Sequence, residues 1–301
     1  MAISKHAFSA QPSIAQLAAR LAGAGRGFTR VVAATILALT TLAFSATYRF
    51  EYDLPLYRGG LCNGNGNHSL RSQQLQAVLE SLRGKSGFLE MNLDQAGCLT
   101  LGDRSRVAGG SPTARELLIA TVESDRLFRL ESHNHSPNIA FAQLSGGAIY
   151  ENRRLKARME VRLLKVDFAD FLQLRGSDET LASFDIGFSV LHELAHGVWR
   201  LPDAIGDQRQ LGSCEERINR MRRELGLPER QSYHATVYMT RRPEGAVLQA
   251  ELTFALARHE SGRARVRRFY LQWDADRVAS RDSSALQHAD QPPAAAASAQ
   301  R

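Results

Sequence analysis

The chain has 301 residues, a formal net charge of +7 and 44% hydrophobic residues, enough for one sizeable core once targeting or disordered ends are set aside. Its basic residues are spread along the chain without aromatic interleaving or a nucleic-acid motif, so no nucleic-acid partner is expected. The Arg pairs at 222–223, 241–242 and 267–268 read as solvated faces, with at most a modest attraction to an anionic membrane surface.

Residues 1–45 carry Arg20, Arg26 and Arg30 and no acidic residue, and Glu51 is the first acid of the chain. The apolar run Val31–Phe44 follows, then the small residues Ser45 and Ala46. That order predicts a secretory signal or an uncleaved membrane anchor, although 14 apolar residues are short for a span. A buried amphipathic helix is the competing reading. Export would place residues 46–282 in the periplasm, outside the cell, or on the outer side of the cytoplasmic membrane. Any membrane association is then expected through the N-terminal segment.

Cys62 follows the Gly59-Gly60 turn, and Cys98 precedes Leu99-Thr100-Leu101. In an oxidising compartment these two could join, leaving Cys214 as the odd cysteine, but the sequence does not fix the pairing. Leu75, Val78, Leu79 and Leu82 have helical spacing and predict a helix over Leu70–Leu82. Short strands are expected at Phe88–Leu93 and Cys98–Leu101. Ser111 as cap and Pro112 at the first position open a helix through Val122. Leu127–Ser132 and Ile139–Leu144 read as strands joined by a polar turn. In that turn His133 and His135 form an HxH pair, which could bind a metal if it lay on a strand. Asn134 and Ser136-Pro137 favour the turn. Met159–Phe168 gives another strand, and Gly176–Ser183 leads into the next helix.

The most informative segment is His192-Glu193-Leu194-Ala195-His196, inside the apolar stretch Phe184–Trp199. Residues four apart share a helix face, so both imidazoles can reach one metal ion. Glu193 points to a neighbouring face, where it can hold a water and take its proton. The bland alternative is a core helix with two satisfied histidines, but polar residues on an apolar helix need buried partners, which a metal supplies. This HExxH segment resembles the active-site helix of the zincin metallopeptidases. Asp185, seven residues before His192, either orients a ligand or caps the helix.

A third ligand should lie downstream. The metzincin pattern needs a glycine and a ligand at positions occupied here by Trp199 and Pro202, so that pattern is rejected. The gluzincin pattern takes a Glu from a second helix, and Cys214–Leu225 reads as that helix, stopped by Gly226 and Pro228. Eighteen residues separate His196 from Glu215 and 19 separate it from Glu216, and both spacings resemble gluzincin patterns. Helix phase chooses between them. Cys214, Ile218, Met221 and Leu225 form an apolar stripe that Glu215 borders and Glu216 avoids. Glu215 is therefore the expected ligand, with Asn219 behind it. Asp203 and Asp207, in the turn-rich Leu201–Asp207 connection, compete for the same role, and an Asp ligand would resemble the aspzincins.

FDIGFSVLHELAHGVWRLPD and CEERINRMRRELGLPERQSY, between Phe184 and Tyr233, also resemble a group of uncharacterised bacterial proteins of zincin type. The resemblance covers about fifty residues and implies a metalloprotease-like domain without naming a substrate. Tyr233 and His234 follow the second helix, where either could approach a substrate oxyanion or simply pack. His234–Thr240, Ala246–Leu256 and Arg263–Trp273 read as strands turned at Glu244-Gly245 and Ser261-Gly262. Residues 283–301 lack apolar periodicity and are expected to be disordered.

These features predict an α+β, zincin-like fold: a mixed sheet, an HExxH helix, a second ligand-bearing helix and C-terminal β hairpins. The expected activity is hydrolysis of a peptide or protein substrate by a Zn²⁺ centre, with His192, His196 and Glu215 as ligands and Glu193 as general base. A zinc hydrolase of a non-peptide amide and a non-catalytic metal-binding envelope domain are the alternatives. Oligomeric state is not legible.

Overall fold

Alternating apolar residues build the central sheet. In Leu127–Ser132, Phe128 and Leu130 face the main core while Leu127 joins a smaller cluster on the opposite face. The computed structural model describes residues 59–64, 66–152, 157–204, 210–243, 245–260 and 263–278. Residues 1–45 and 283–301, with the export segment and tail read from sequence, lie outside the described residues. Among the described residues, no helix is long and apolar enough to cross a membrane.

In chain order, β1 (Gly60–Asn63) and α1 (Ser72–Ser86) precede the two-stranded ladder of β2 (Asn92–Leu93) and β3 (Leu99–Thr100). Next come α2 (Pro112–Val122), β4 (Leu127–Ser132), β5 (Ala142–Leu144), β6 (Ala148–Asn152) and β7 (Ala157–Val166). The short α3 (Phe168–Phe171) and α4 (Asp178–Ser183) lead to α5 (Ile186–Trp199) and α6 (Gly212–Glu224). The chain ends in β8 (Glu229–Arg230), β9 (Thr236–Arg242), β10 (Gly245–Glu260) and β11 (Arg263–Asp274). The protein is thus a mixed α/β structure with a mixed sheet, several helices and C-terminal antiparallel strands.

β1, β4 and β7 pair in parallel, and both β5 and β6 run antiparallel to β7. Leu61, Phe128, Leu130, Leu164 and Val166 from one sheet face share a core with Leu82 of α1, Leu117 of α2, Leu191 of α5 and Ile218 of α6. Burial of that apolar surface is the main force fixing α5. A second core joins Leu252 and Phe254 of β10 and Leu271 and Trp273 of β11 to Phe141. The C-terminal strands therefore pack beside α5 through Phe141 and Phe184.

Several sequence expectations shift. The Ile139–Leu144 strand begins only at Ala142, because Phe141 has a left-handed backbone (φ 63). The Phe88–Leu93 strand shrinks to β2, with Phe88 forming an isolated bridge to Val107 after the left-handed cap at Gly87. β1 and β6 were not anticipated. His135 also has a left-handed backbone (φ 59), and His133 stacks on His68, so this HxH pair lies in a turn.

Candidate metal centre

The Asp185 carboxylate accepts the Phe188 N–H at 3.0 Å and caps α5, so capping is the role the structure gives it. Its other oxygen holds Lys85 at 2.7 Å and Ser81 at 2.8 Å. The helix start is thereby fixed, and His192 and His196 follow on one face. Their Nε2 atoms are 3.0 Å apart.

Asp203 completes a triangle. Its Oδ1 lies 3.1 Å from His192 Nε2 and 3.2 Å from His196 Nε2. The opposite side of each ring explains what this means. His196 Nδ1 meets the Leu201 carbonyl at 2.5 Å, and His192 Nδ1 faces Glu215 Oε2 at 3.3 Å. Each Nδ1 faces an acceptor, so we assign the ring proton there, and both Nε2 atoms present lone pairs. Two lone pairs and a carboxylate oxygen then converge with no hydrogen among them. Asp203 Oδ1 is buried and makes no hydrogen bond. A cation is what such a set lacks.

The spacing fits one. Zinc bound to nitrogen and oxygen at about 2.0–2.1 Å in tetrahedral geometry puts neighbouring ligand atoms ~3.3 Å apart. Cys214 lies beside the triangle, near the Nδ1 side of His192. Ligand atoms of His192, His196, Asp203 and Cys214 all lie within 4.8 Å of one another, and this group could hold a metal ion.

Without a metal, protons answer the same convergence of acceptors. Burial pulls the His196 imidazole down, but Asp203 and Cys214 overcome it and raise it to about 10. His192 rises well above its ordinary value against the same burial, through Asp203, Cys214 and Glu215. Burial would raise the Asp203 carboxyl, yet the two imidazoles hold it below the usual carboxylate range. A metal ion bound there would therefore compete with protons for one cluster.

Glu215, the third ligand expected from helix phase, is not in the triangle. It stands behind His192, buried, with one oxygen on Arg222 and the other 3.2 Å from Arg230. Burial would raise its carboxyl, and the two guanidiniums hold it well below the carboxylate range. The phase argument was sound, since Glu215 is buried and Glu216 exposed. It identified the inward Glu without showing which side of His192 that Glu would meet. Asp203 takes the third corner instead, and Asp207 lies outside the described residues. Asn219 binds Arg222 and Arg230 rather than a metal donor.

Glu193 lines the adjoining cavity, with one carboxylate oxygen accepting the Leu144 N–H of β5 at 2.7 Å. That cavity measures about 240 Å³. Phe141, Phe184, Phe188, Ile218, Leu252 and Trp273 form its apolar walls. Tyr233 and His234 also line it, and burial, helped by the nearby Asp203 charge, raises the Tyr233 hydroxyl above its ordinary value. Sequence reasoning missed Arg222, which was read as part of a solvated pair. It is buried between Phe188 and Phe254, while Arg223 pairs with Glu229 at the surface. The available signal was position: Arg222 follows Ile218 by one helical turn and so lies on the apolar stripe.

No family model, curated protein or solved structure matches the chain.

Proposed function

We propose that the protein is a zinc-dependent hydrolase of the zincin type, acting on peptide bonds outside the cytoplasm. The observation that carries this is the triangle of His192 Nε2, His196 Nε2 and Asp203 Oδ1, with sides of 3.0, 3.1 and 3.2 Å. Zn²⁺ bound there would polarise a substrate carbonyl and make a water more acidic.

The protein's own residues supply the rest. Glu215 and the Leu201 carbonyl orient the two rings through Nδ1. Glu193, fixed by the Leu144 N–H, takes a proton from the attacking water and returns it to the leaving nitrogen. The apolar cavity beside it receives a large apolar side chain of the substrate. The Cys62–Cys98 disulfide supports an oxidising compartment.

The test is zinc content beside cleavage of a mixed peptide pool, for the parent and for Glu193→Gln. Expected are about one zinc per chain in both proteins and cleavage only by the parent. Equal cleavage by Glu193→Gln would remove the general-base role. A second reading, a non-catalytic metal-holding domain, is favoured by one observation: Cys214 brings the donors to four. Tight zinc in a parent that cleaves nothing would select it.

A further inference from the structure

Cys214 is the free cysteine, because Cys62 and Cys98 are joined. It is fully buried, yet it does not sit among aliphatic side chains alone. Its Sγ lies 3.6 Å from His192 Nδ1 and 3.5 Å from the His192 carbonyl oxygen, to which the thiol donates. The same sulfur is within 4.8 Å of a ligand atom of His192, His196 and Asp203.

The backbone holds Cys214 and Asp203 together. Cys214 N–H donates to the Pro202 carbonyl at 3.1 Å, and the Ser213 hydroxyl donates to that oxygen at 3.4 Å. Gly212 makes the approach possible. It has φ +71, and a Cβ there would lie 2.3 Å from Ala204 N and 2.5 Å from Asp203 C. The first turn of α6 is thus tied to the loop that carries Asp203. Cys214 is held beside the donor triangle on the Nδ1 side of His192, and a turn about its Cα–Cβ bond would carry the sulfur toward the Nε2 side.

We propose that Cys214 is a displaceable fourth ligand that closes the centre at rest and leaves it when substrate enters. The proposal rests on the metal reading above and adds its regulation. In closing, the S–H bond would break, the proton would go to solvent, and sulfur would donate its electron pair to the metal. In opening, the metal–sulfur bond would break, the sulfur would take a proton back from solvent, and the thiol would return to the His192 carbonyl. The fourth position is then free for substrate. A thiolate cap would keep an exported hydrolase quiet toward water while leaving it responsive to groups that bind the metal better.

X-ray absorption at the zinc edge tests this on the full chain. The resting protein should show a sulfur neighbour at about 2.3 Å beside nitrogen and oxygen at about 2.0–2.1 Å. Saturating acetohydroxamate, a metal-chelating probe, should remove that sulfur neighbour while zinc stays bound. Cobalt substitution gives a second readout: a thiolate-to-cobalt charge-transfer band, lost in Cys214→Ala with cobalt retained. Stoichiometric zinc with only nitrogen and oxygen neighbours would overturn the proposal and leave the metal reading intact. A sulfur neighbour that persists under hydroxamate would overturn displaceability. Absence of any bound metal would overturn both readings.

Discussion

His192 Nδ1 faces Glu215 Oε2 at 3.3 Å, and the other Glu215 oxygen is held by Arg222. The carboxylate orients the ring from behind, while Asp203 stands on the Nε2 side. Asp203→Asn should therefore remove most of the bound zinc. Glu215→Gln should keep it, with affinity lowered roughly 10–100-fold. Zinc content after dialysis against graded chelator measures both, and the reverse order would restore Glu215 as the ligand.

Glu215 also has a structural duty that can be separated from the metal. Arg222 is buried, with its Nε on the Ser183 carbonyl and Nη1 on Glu215 and Asn219. Removing the carboxylate strands that charge. Glu215→Ala should cost about 3–5 kcal/mol in urea unfolding of the chelated protein. Adding Arg222→Met should recover part of that loss, because no buried charge then remains unpaired. An additive double variant would argue against the coupling.

Asp170 supplies a pH dependence away from the metal. Burial, with Asp167 nearby, raises its carboxyl from 3.8 to about 6, despite the hydrogen bond it accepts from Phe141. A carboxyl raised in the folded state contributes stability that is complete below the unfolded value and lost as pH rises through the folded one. The protein should therefore lose stability between about pH 4 and pH 6 through this group. Asp170→Asn keeps an acceptor for Phe141 and removes the titration. It should be more stable than the parent at pH 7, by on the order of 1 kcal/mol, and show no such gain at pH 4. Chemical denaturation at the two pH values measures it, and an equal difference at both would sink the assignment.

The Cys62–Cys98 disulfide closes a sequence separation of 36 residues. In the chain-entropy account, replacing both cysteines with serine should cost about 4 kcal/mol. The bond also bears on location. A reporter active only in oxidising compartments, fused after about residue 60, should be active. A stable but silent fusion would return Val31–Phe44 to the role of a core helix.

Legibility followed how local the determining physics was. α5 and α2 could be read because their spacing and caps lie within a few residues: Asp185 before Ile186, and Ser111 before Pro112. The C-terminal strands were visible from alternation and their turns. β6 was hidden because its pairing partner β7 decides its existence. The register of β5 was obscured by the backbone at Phe141, which depends on the Asp170 acceptor far along the chain. At the site, the two histidines were fixed by helical geometry. The third corner was not, since Asp203 comes from an irregular connection whose path spacing cannot give. Arg222 was misread because a charged residue beside another charged residue resembles surface, whereas its partner Glu215 lies seven positions earlier on the same helix.

Part of the cavity wall lies well beyond the candidate donors in the chain, although Phe184 and Phe188 precede His192. All four donors have been made once Cys214 is joined, whereas Leu252 and Trp273 of the wall come later. On the proposed reading, the four candidate donors would be in hand before the C-terminal part of the cavity wall. Metal binding would then precede a complete substrate pocket, and a chain halted between the two would hold the donors without the Leu252 and Trp273 wall.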